Sequence, residues 1–193
     1  MKRYLIIGAL LVSLSAYANA AAPQLITLNK NYRSYIERMS PLTIVNFFFD
    51  DPSSGDASSK QDKGFGGRFD YMQAESSENG LNYEYKTVVC FEPNQTIVHV
   101  AYFCMKGARG RYLSPDEVDY MLAVGSGGRT FKEVPQSHGN NHCVGGMWKL
   151  YRSLDNRIEA TVGYTLEAGK LEAFAVELRV VNTRVGGCGG WIN

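Results

Sequence analysis

The chain has 193 residues, of which 45% are hydrophobic and 20% are charged, and its formal net charge at pH 7 is +1. These proportions are typical of a folded globular protein and exclude a fully disordered chain. The near-neutral charge also argues against a nucleic-acid-binding protein, which would need a strongly basic surface.

The first 20 residues have the three parts of a secretory signal peptide. Met1-Lys2-Arg3 is a positive start, residues 4–14 form an apolar run, and Ala18-Asn19-Ala20 has the small-x-small form of a cleavage site. Cleavage there leaves one domain, residues 21–193, with 18 basic and 19 acidic residues and a formal charge of −1. No Cys follows the site to carry a lipid anchor, and no later apolar run has the length of a membrane span. The sequence therefore predicts a periplasmic or secreted protein without a membrane span.

The first half of the domain predicts one helix and a set of strands. Residues 29–39 have apolar side chains at helical spacing and predict an amphipathic helix that ends before Pro41. Strands are predicted at 41–49, 68–73, 83–91 and 96–103, with a long polar loop at 50–67. Turn residues at 92–95 predict a hairpin in which Phe91 faces Thr96 and Cys90 faces Ile97.

The second half begins with the clearest helix start in the chain. Ser114 is the predicted N-cap, Pro115 stands in the first turn, and Glu117 completes a capping box. The helix is predicted to stop near Gly125-Ser126-Gly127-Gly128, and strands are predicted at 129–134, 146–152, 157–166 and 170–181. The whole pattern predicts a β-rich α+β fold, with antiparallel sheet and two short helices, stabilised by disulfides.

Four cysteines, Cys90, Cys104, Cys143 and Cys188, lie in the exported part of the chain. An even number in an oxidising compartment predicts two disulfides. The predicted hairpin register separates Cys90 from Cys104 by roughly 23 Å, too far for a disulfide. Of the two remaining pairings, we weakly favour Cys90 with Cys188 and Cys104 with Cys143.

One segment holds the residues of a possible reactive site. Residues 137–143 contain His138, His142 and Cys143, which zinc could bind, but Gly139-Asn140-Asn141 disfavours the helix that would align the two imidazoles. The sequence therefore predicts no metal and no cofactor. Cys143 could also be a nucleophile activated by His138 or His142.

That segment resembles the signature of L,D-transpeptidases, in which a cysteine follows Ser-His-Gly. Here Asn140, Asn141 and His142 stand between Gly139 and Cys143, and no upstream His-Gly pair is present. The resemblance implies an exported hydrolase or transferase that uses Cys143, and this remains an alternative function.

The predicted loop after the second helix is a candidate binding site. Between residues 85 and 131 the order of features resembles periplasmic inhibitors of C-type lysozyme, which carry Tyr-x-Cys on a strand and a later Ser-Gly loop. Val88-Val89-Cys90 stands at the first position, Ser126-Gly127 matches the loop, and Thr130 replaces a tyrosine of the family pattern. The resemblance implies that Ser126 and Gly127 contact a protein partner, and we choose the loop from Gly125 to Arg129, with Arg129 among its contact residues, as the first candidate binding site.

A basic turn is the second candidate binding site. Lys106, Arg109 and Arg111 lie close together with glycines between them and could meet an acidic partner. We expect an exported binding protein, most concretely an inhibitor or immunity protein that blocks a cell-wall-directed or other exported enzyme. A secreted toxin or adhesin subunit that binds glycans through its tyrosines is a further alternative.

Overall fold

Two helices and eight strands make up the structure, a computed structural model that describes residues 23–38, 44–49, 66–77, 80–104, 111–135 and 147–183. In chain order the elements are α1 (Arg33–Ile36), β1 (Ile44–Phe49), β2 (Gly67–Ser77), β3 (Gly80–Phe91), β4 (Ile97–Cys104), α2 (Pro115–Gly125), β5 (Phe131–Val134), β6 (Met147–Ser153), β7 (Ile158–Glu167) and β8 (Lys170–Val180). Within these residues, neither helix is long and apolar enough to cross a membrane.

The eight strands form one antiparallel sheet in the order β1-β2-β3-β4-β8-β7-β6-β5. Strands β1 to β4 and β5 to β8 are two meanders, each joined in sequence order, and the antiparallel pairing of β4 with β8 joins them. Helix α2 lies in the connection between the meanders and packs against β8. The predicted β-rich fold with antiparallel sheet and two helices is confirmed.

The β3–β4 hairpin forms, but its register differs from the prediction. Phe91 pairs with Ile97 and Cys90 with His99, because a β-bulge lies beside Cys90 and Phe91. The extra residue of the bulge is Val98, which has no directly opposite residue on β3, and Gln95 in the turn adopts a left-handed conformation (φ 70°). Cys104 lies five residues beyond His99, so about 17 Å of strand still separates it from Cys90.

The first helix is shorter than the predicted range 29–39. The residues before it pair with the start of β4 instead: Asn29 donates its N–H to the Ile97 carbonyl (2.8 Å), and Ile97 donates to the Lys30 carbonyl (2.9 Å). Asn29 has φ of 60°, which a helix does not permit. A long-range backbone pairing has therefore replaced the first helical turns.

Helix α2 begins as predicted. Glu117 donates its N–H to the Ser114 hydroxyl (3.3 Å), and the Glu117 carboxylate accepts from the Ser114 N–H (2.9 Å), which completes the capping box. Its buried face, Val118, Met121 and Leu122, joins the main hydrophobic core. This core lies on the face of the sheet that we call the core face.

A short segment at the start of the described chain is fastened to the core face by tyrosine hydroxyls. The fully buried Tyr102 accepts a hydrogen bond from the Ile26 N–H (2.7 Å), and Tyr71 donates to the Gln24 carbonyl (2.9 Å). Ile26 is itself fully buried. Residues soon after the predicted cleavage site are therefore part of the core.

The cysteines differ from the prediction of two disulfides. Cys104 is a free thiol, whose Sγ lies 3.6 Å from the Ala173 carbonyl oxygen. Cys90 is fully buried and disulfide-bonded. Cys143 and Cys188 lie outside the described residues. The favoured Cys104–Cys143 pairing is corrected, because Cys104 is a free thiol whose sulfur lies against β8.

The Tyr102 hydrogen bond supplies a stability test. Tyr102→Phe leaves the buried Ile26 N–H without this acceptor, and we expect the free energy of unfolding to fall by about 1–3 kcal/mol. Tyr120→Phe is the matched control, because the Tyr120 side chain is 64% exposed and its loss should change stability by less than about 0.5 kcal/mol. Urea denaturation measures both, and equal stability of the two variants would contradict the role of Tyr102.

The Cys104 thiol supplies a reactivity test. Burial raises the pKa of Cys104 to about 12, so the thiol stays protonated and unreactive in the folded protein near neutral pH. We expect iodoacetamide to leave Cys104 unmodified in the folded chain and to alkylate it after unfolding without reductant. Peptide mapping by mass spectrometry checks this, and rapid alkylation in the folded state would show that the thiol is accessible.

Candidate functional site

The loop between α2 and β5 has a tight, well-defined turn. Gly127 and Gly128 have φ of 72° and 88°, a left-handed conformation that glycine adopts without strain. Their N–H groups donate to Val124 and Ala123 carbonyls (3.1 and 2.7 Å), which ends the helix. The two glycines are exposed, so they form the tip of the loop.

Ser126 shapes this loop from inside. It is 1% exposed, and its hydroxyl accepts from the Arg129 N–H (3.0 Å) and donates to the Ala123 carbonyl (3.2 Å). A buried hydroxyl with these partners is not presented to another protein. The expectation that Ser126 contacts a partner directly is therefore corrected: Ser126 holds Arg129 and the exposed tip in place.

The turn between β6 and β7 has the same construction. Ser153 is fully buried, donates its hydroxyl to Asp155 Oδ1 (2.6 Å) and accepts from the Ile158 N–H (2.9 Å). Asn156 has φ of 57° and donates its N–H to the Ser153 carbonyl (2.8 Å). One buried serine therefore fixes each of the two turns.

Two contacts tie the turns together into what we call the loop pair, residues 125–130 and 153–157. Arg129 Nε donates to Asp155 Oδ2 (2.9 Å), and the Leu154 N–H donates to the Thr130 carbonyl (3.0 Å). The Arg129 guanidinium also donates to the Ser126 carbonyl. Beside these contacts the Leu154 side chain is 61% exposed. The loop pair thus holds an exposed apolar side chain within a hydrogen-bonded frame.

The Asp155 carboxylate of the loop pair keeps its negative charge in mild acid. Hydrogen bonds from the Ser153 hydroxyl and then from Arg129 lower the pKa of Asp155 from 3.8 to about 2. The carboxylate is therefore ionised at neutral pH and in mild acid. Its contribution to the stability of the loop pair is complete above pH 3.8 and is lost as the pH falls through about 2.

Of the three residues of the basic turn, the structure describes Arg111, which pairs with a carboxylate of the same chain. Both terminal nitrogens of Arg111 donate hydrogen bonds to the Glu117 carboxylate, and these hydrogen bonds lower the pKa of Glu117 to about 2. Arg111 therefore supports the cap of α2. Lys106 and Arg109 lie outside the described residues.

The candidate reactive residues His138, His142 and Cys143 also lie outside the described residues. Within the part of the chain that the structure describes, no three His, Cys, Asp or Glu side chains come together as a metal site. The predicted tyrosine recognition face is not found at Tyr71, Tyr85 and Tyr102, which are fully buried in the core.

Sequence reasoning missed Leu154 and Asp155. The one sequence feature that could have indicated them is an apolar residue, Leu154, inside the polar turn Ser153-Leu154-Asp155-Asn156-Arg157. Arg129 and Asp155 are 26 residues apart, so their contact depends on the sheet.

No family model, curated protein or solved structure matches this chain. No activity can therefore be assigned by similarity to a relative. A binding partner is inferred below from the chemistry of the loop pair.

The Arg129–Asp155 contact can be tested by titration. Arg129→Gln removes the charged donor, so we expect the pKa of Asp155 to rise from about 2 towards 3.8. Arg157→Gln is the matched control, because Arg157 lowers the pKa of Asp155 through its backbone N–H, which the substitution keeps. NMR titration of the Asp155 carboxyl carbon measures the pKa, and an unchanged value in Arg129→Gln would contradict the contact.

Proposed function

We propose that this chain is an exported binding protein, an inhibitor or immunity protein that uses the loop pair to block a cell-wall-directed or other exported enzyme. The observation that supports this most directly is the 61% exposure of Leu154 within a hydrogen-bonded frame. Because its backbone is already fixed, Leu154 would lose only its side-chain rotamer freedom on binding and would gain the burial of its apolar surface.

The energetic argument rests on preorganisation. Ser126 and Ser153 are buried and satisfy the N–H groups of Arg129 and Ile158, so both turns keep their shape before a partner arrives. Binding energy is then spent on new contacts instead of on ordering a flexible loop. Protein inhibitors of enzymes commonly bind in this way, with little backbone change.

The surroundings of Leu154 fit the anatomy of an interface hot spot. Arg129 and Asp155 pair with each other beside it, so neither charge would be buried without its partner when the surface is covered. Gly127 and Gly128 carry no side chains that would keep a partner away from the loop tip. An apolar anchor surrounded by satisfied polar groups is the arrangement in which a few residues dominate affinity.

The kind of partner follows from shape and location. Paired turns that carry one apolar anchor are convex, and enzyme active sites are concave and mostly apolar. The predicted signal peptide at residues 1–20 supports an exported protein, and the disulfide at Cys90 accords with an oxidising compartment. The proposed partner is therefore an enzyme with an open cleft in the periplasm or outside the cell.

The proposal is tested with two exposed leucines. Leu154→Ser should weaken binding of the partner enzyme by about tenfold or more, as loss of a hot-spot anchor does. Leu166→Ser is the matched control, because Leu166 is 70% exposed at the far end of β7. The partner is isolated with the oxidised protein, residues 21–193, and its activity is titrated with the wild type and both variants.

The inhibition measured with the two variants either supports or contradicts the role of the loop pair. Inhibition that is lost in Leu154→Ser and kept in Leu166→Ser supports the proposal. Inhibition that survives in Leu154→Ser, or a partner whose activity does not change, contradicts the role of the loop pair.

A further inference from the structure

The face of the sheet opposite the core, which we call the outer face, carries a row of charged side chains across neighbouring strands. Residues directly opposite each other in antiparallel strands point to the same side. Cross-strand pairing aligns Lys132 with Arg152, Arg152 with Glu159, and Glu159 with Arg179, on β5, β6, β7 and β8. Adjacent strands lie about 4.8 Å apart, so these charges follow one another in a line.

Cations outnumber carboxylates in this row. Arg152 Nη2 donates to Glu159 Oε2 (2.5 Å), and Arg179 Nε donates to Glu159 Oε1 (3.0 Å). Two arginines therefore share one carboxylate and leave one positive charge uncompensated, and Lys132 at the end of the row adds a second. Burial raises the pKa of Glu159, but the hydrogen bonds from Arg152 and Arg179 outweigh it and lower the pKa below its ordinary value.

The carboxylate is covered while the cations are accessible. The Glu159 side chain is 7% exposed, whereas those of Arg152 and Arg179 are 37% and 53% exposed. Lys132 is also exposed. The next carboxylate along β8 on this face, Glu177, is 16% exposed and already hydrogen-bonded. A ligand that approaches the row therefore meets mainly guanidinium and ammonium groups, although residues 21–193 have a formal charge of −1.

An aromatic pair lies on the same face. The rings of Trp148 and Phe174 pack edge to face, with centroids 5.2 Å apart. A Cβ atom at Gly163 would lie 2.6 Å from Phe174 Cζ and 3.0 Å from Trp148 Cη2, so the absence of a side chain there lets both rings lie against the sheet. Trp148 precedes Arg152 by four residues on β6, which places the pair about 13 Å along the strand from the cations.

We propose that this region of the outer face, formed by Lys132, Arg152, Arg179, Trp148 and Phe174, binds an anionic polysaccharide. Charge complementarity selects the carboxylate or sulfate groups of the polymer. The half-buried aromatic rings offer an apolar surface against which sugar rings can pack. An acidic peptide would satisfy the cations but would have no specific use for the aromatic pair.

The site is independent of the loop pair. It lies on the outer face and shares none of the residues of the loop pair, so the failure of one proposal leaves the other standing. Binding of an anionic cell-surface polymer would hold an exported protein near the surface where its partner acts.

The experiment measures binding of a size-defined heparin oligosaccharide to the oxidised protein by isothermal titration calorimetry, with a neutral dextran oligosaccharide and polyglutamate as comparisons. Lys132→Gln should weaken heparin binding by about two- to fivefold. Glu159→Gln should strengthen it by a similar factor, because it adds a net positive charge and releases arginine donors. Trp148→Leu should weaken heparin binding by about two- to tenfold without changing that of polyglutamate.

A matched control and three contrary outcomes complete the test. Lys170→Gln removes the same charge from an exposed position at the β7–β8 turn and should leave heparin affinity unchanged. Equal weakening by Lys170→Gln and Lys132→Gln, or no heparin binding at low salt, would overturn the proposal. Polyglutamate binding as tightly as heparin, with Trp148→Leu affecting neither, would overturn it in favour of an acidic peptide.

Discussion

The pairing of β4 with β8 is the constraint on which the rest of the structure depends. Five cross-strand pairs, from His99 with Arg179 to Phe103 with Ala175, join two meanders that would otherwise be separate sheets. On the core face the pairing brings Val100 against Leu178, and α2 packs over the same strand, β8. A contact between residues nearly 80 positions apart therefore creates one continuous core from two halves that are each locally connected.

The same sheet gives its two faces different chemistry. The core face is apolar and is covered by α2 and by the segment at Gln24 and Ile26, which tyrosine hydroxyls fasten in place. The outer face carries paired charges, and its buried carboxylates Asp70 and Glu159 each contact two cations. Strand alternation produces this division, since neighbouring residues along a strand point to opposite sides. The two proposed binding surfaces therefore differ: an apolar anchor at the loop pair and a cationic row on the outer face.

Rigidity at the loop pair has a local and a distant source. Ser126 and Ser153 each satisfy backbone groups within their own turn, which is short-range chemistry. The Arg129–Asp155 contact and the Leu154 to Thr130 hydrogen bond act between the turns, and they form because the pairing of β5 with β6 places the turns side by side. The hydrogen bond to Thr130 holds the backbone of Leu154 in place while its side chain remains exposed.

Local sequence patterns determined the elements whose cause is short-range. The capping box of Ser114 and Glu117, the end of α2 and the break between the strands predicted at 157–166 and 170–181 depend on residues within a few positions, and all were predicted correctly. Only the tertiary structure decided the β3–β4 register, the length of α1 and the free thiol at Cys104, because a bulge, a backbone pairing with Ile97 and packing against β8 override local preference. The same limit applies to function. The sequence pointed to the loop at Ser126 and Arg129, but the burial of Ser126 and the exposure of Leu154 beside Asp155 follow from contacts that only the folded sheet brings together.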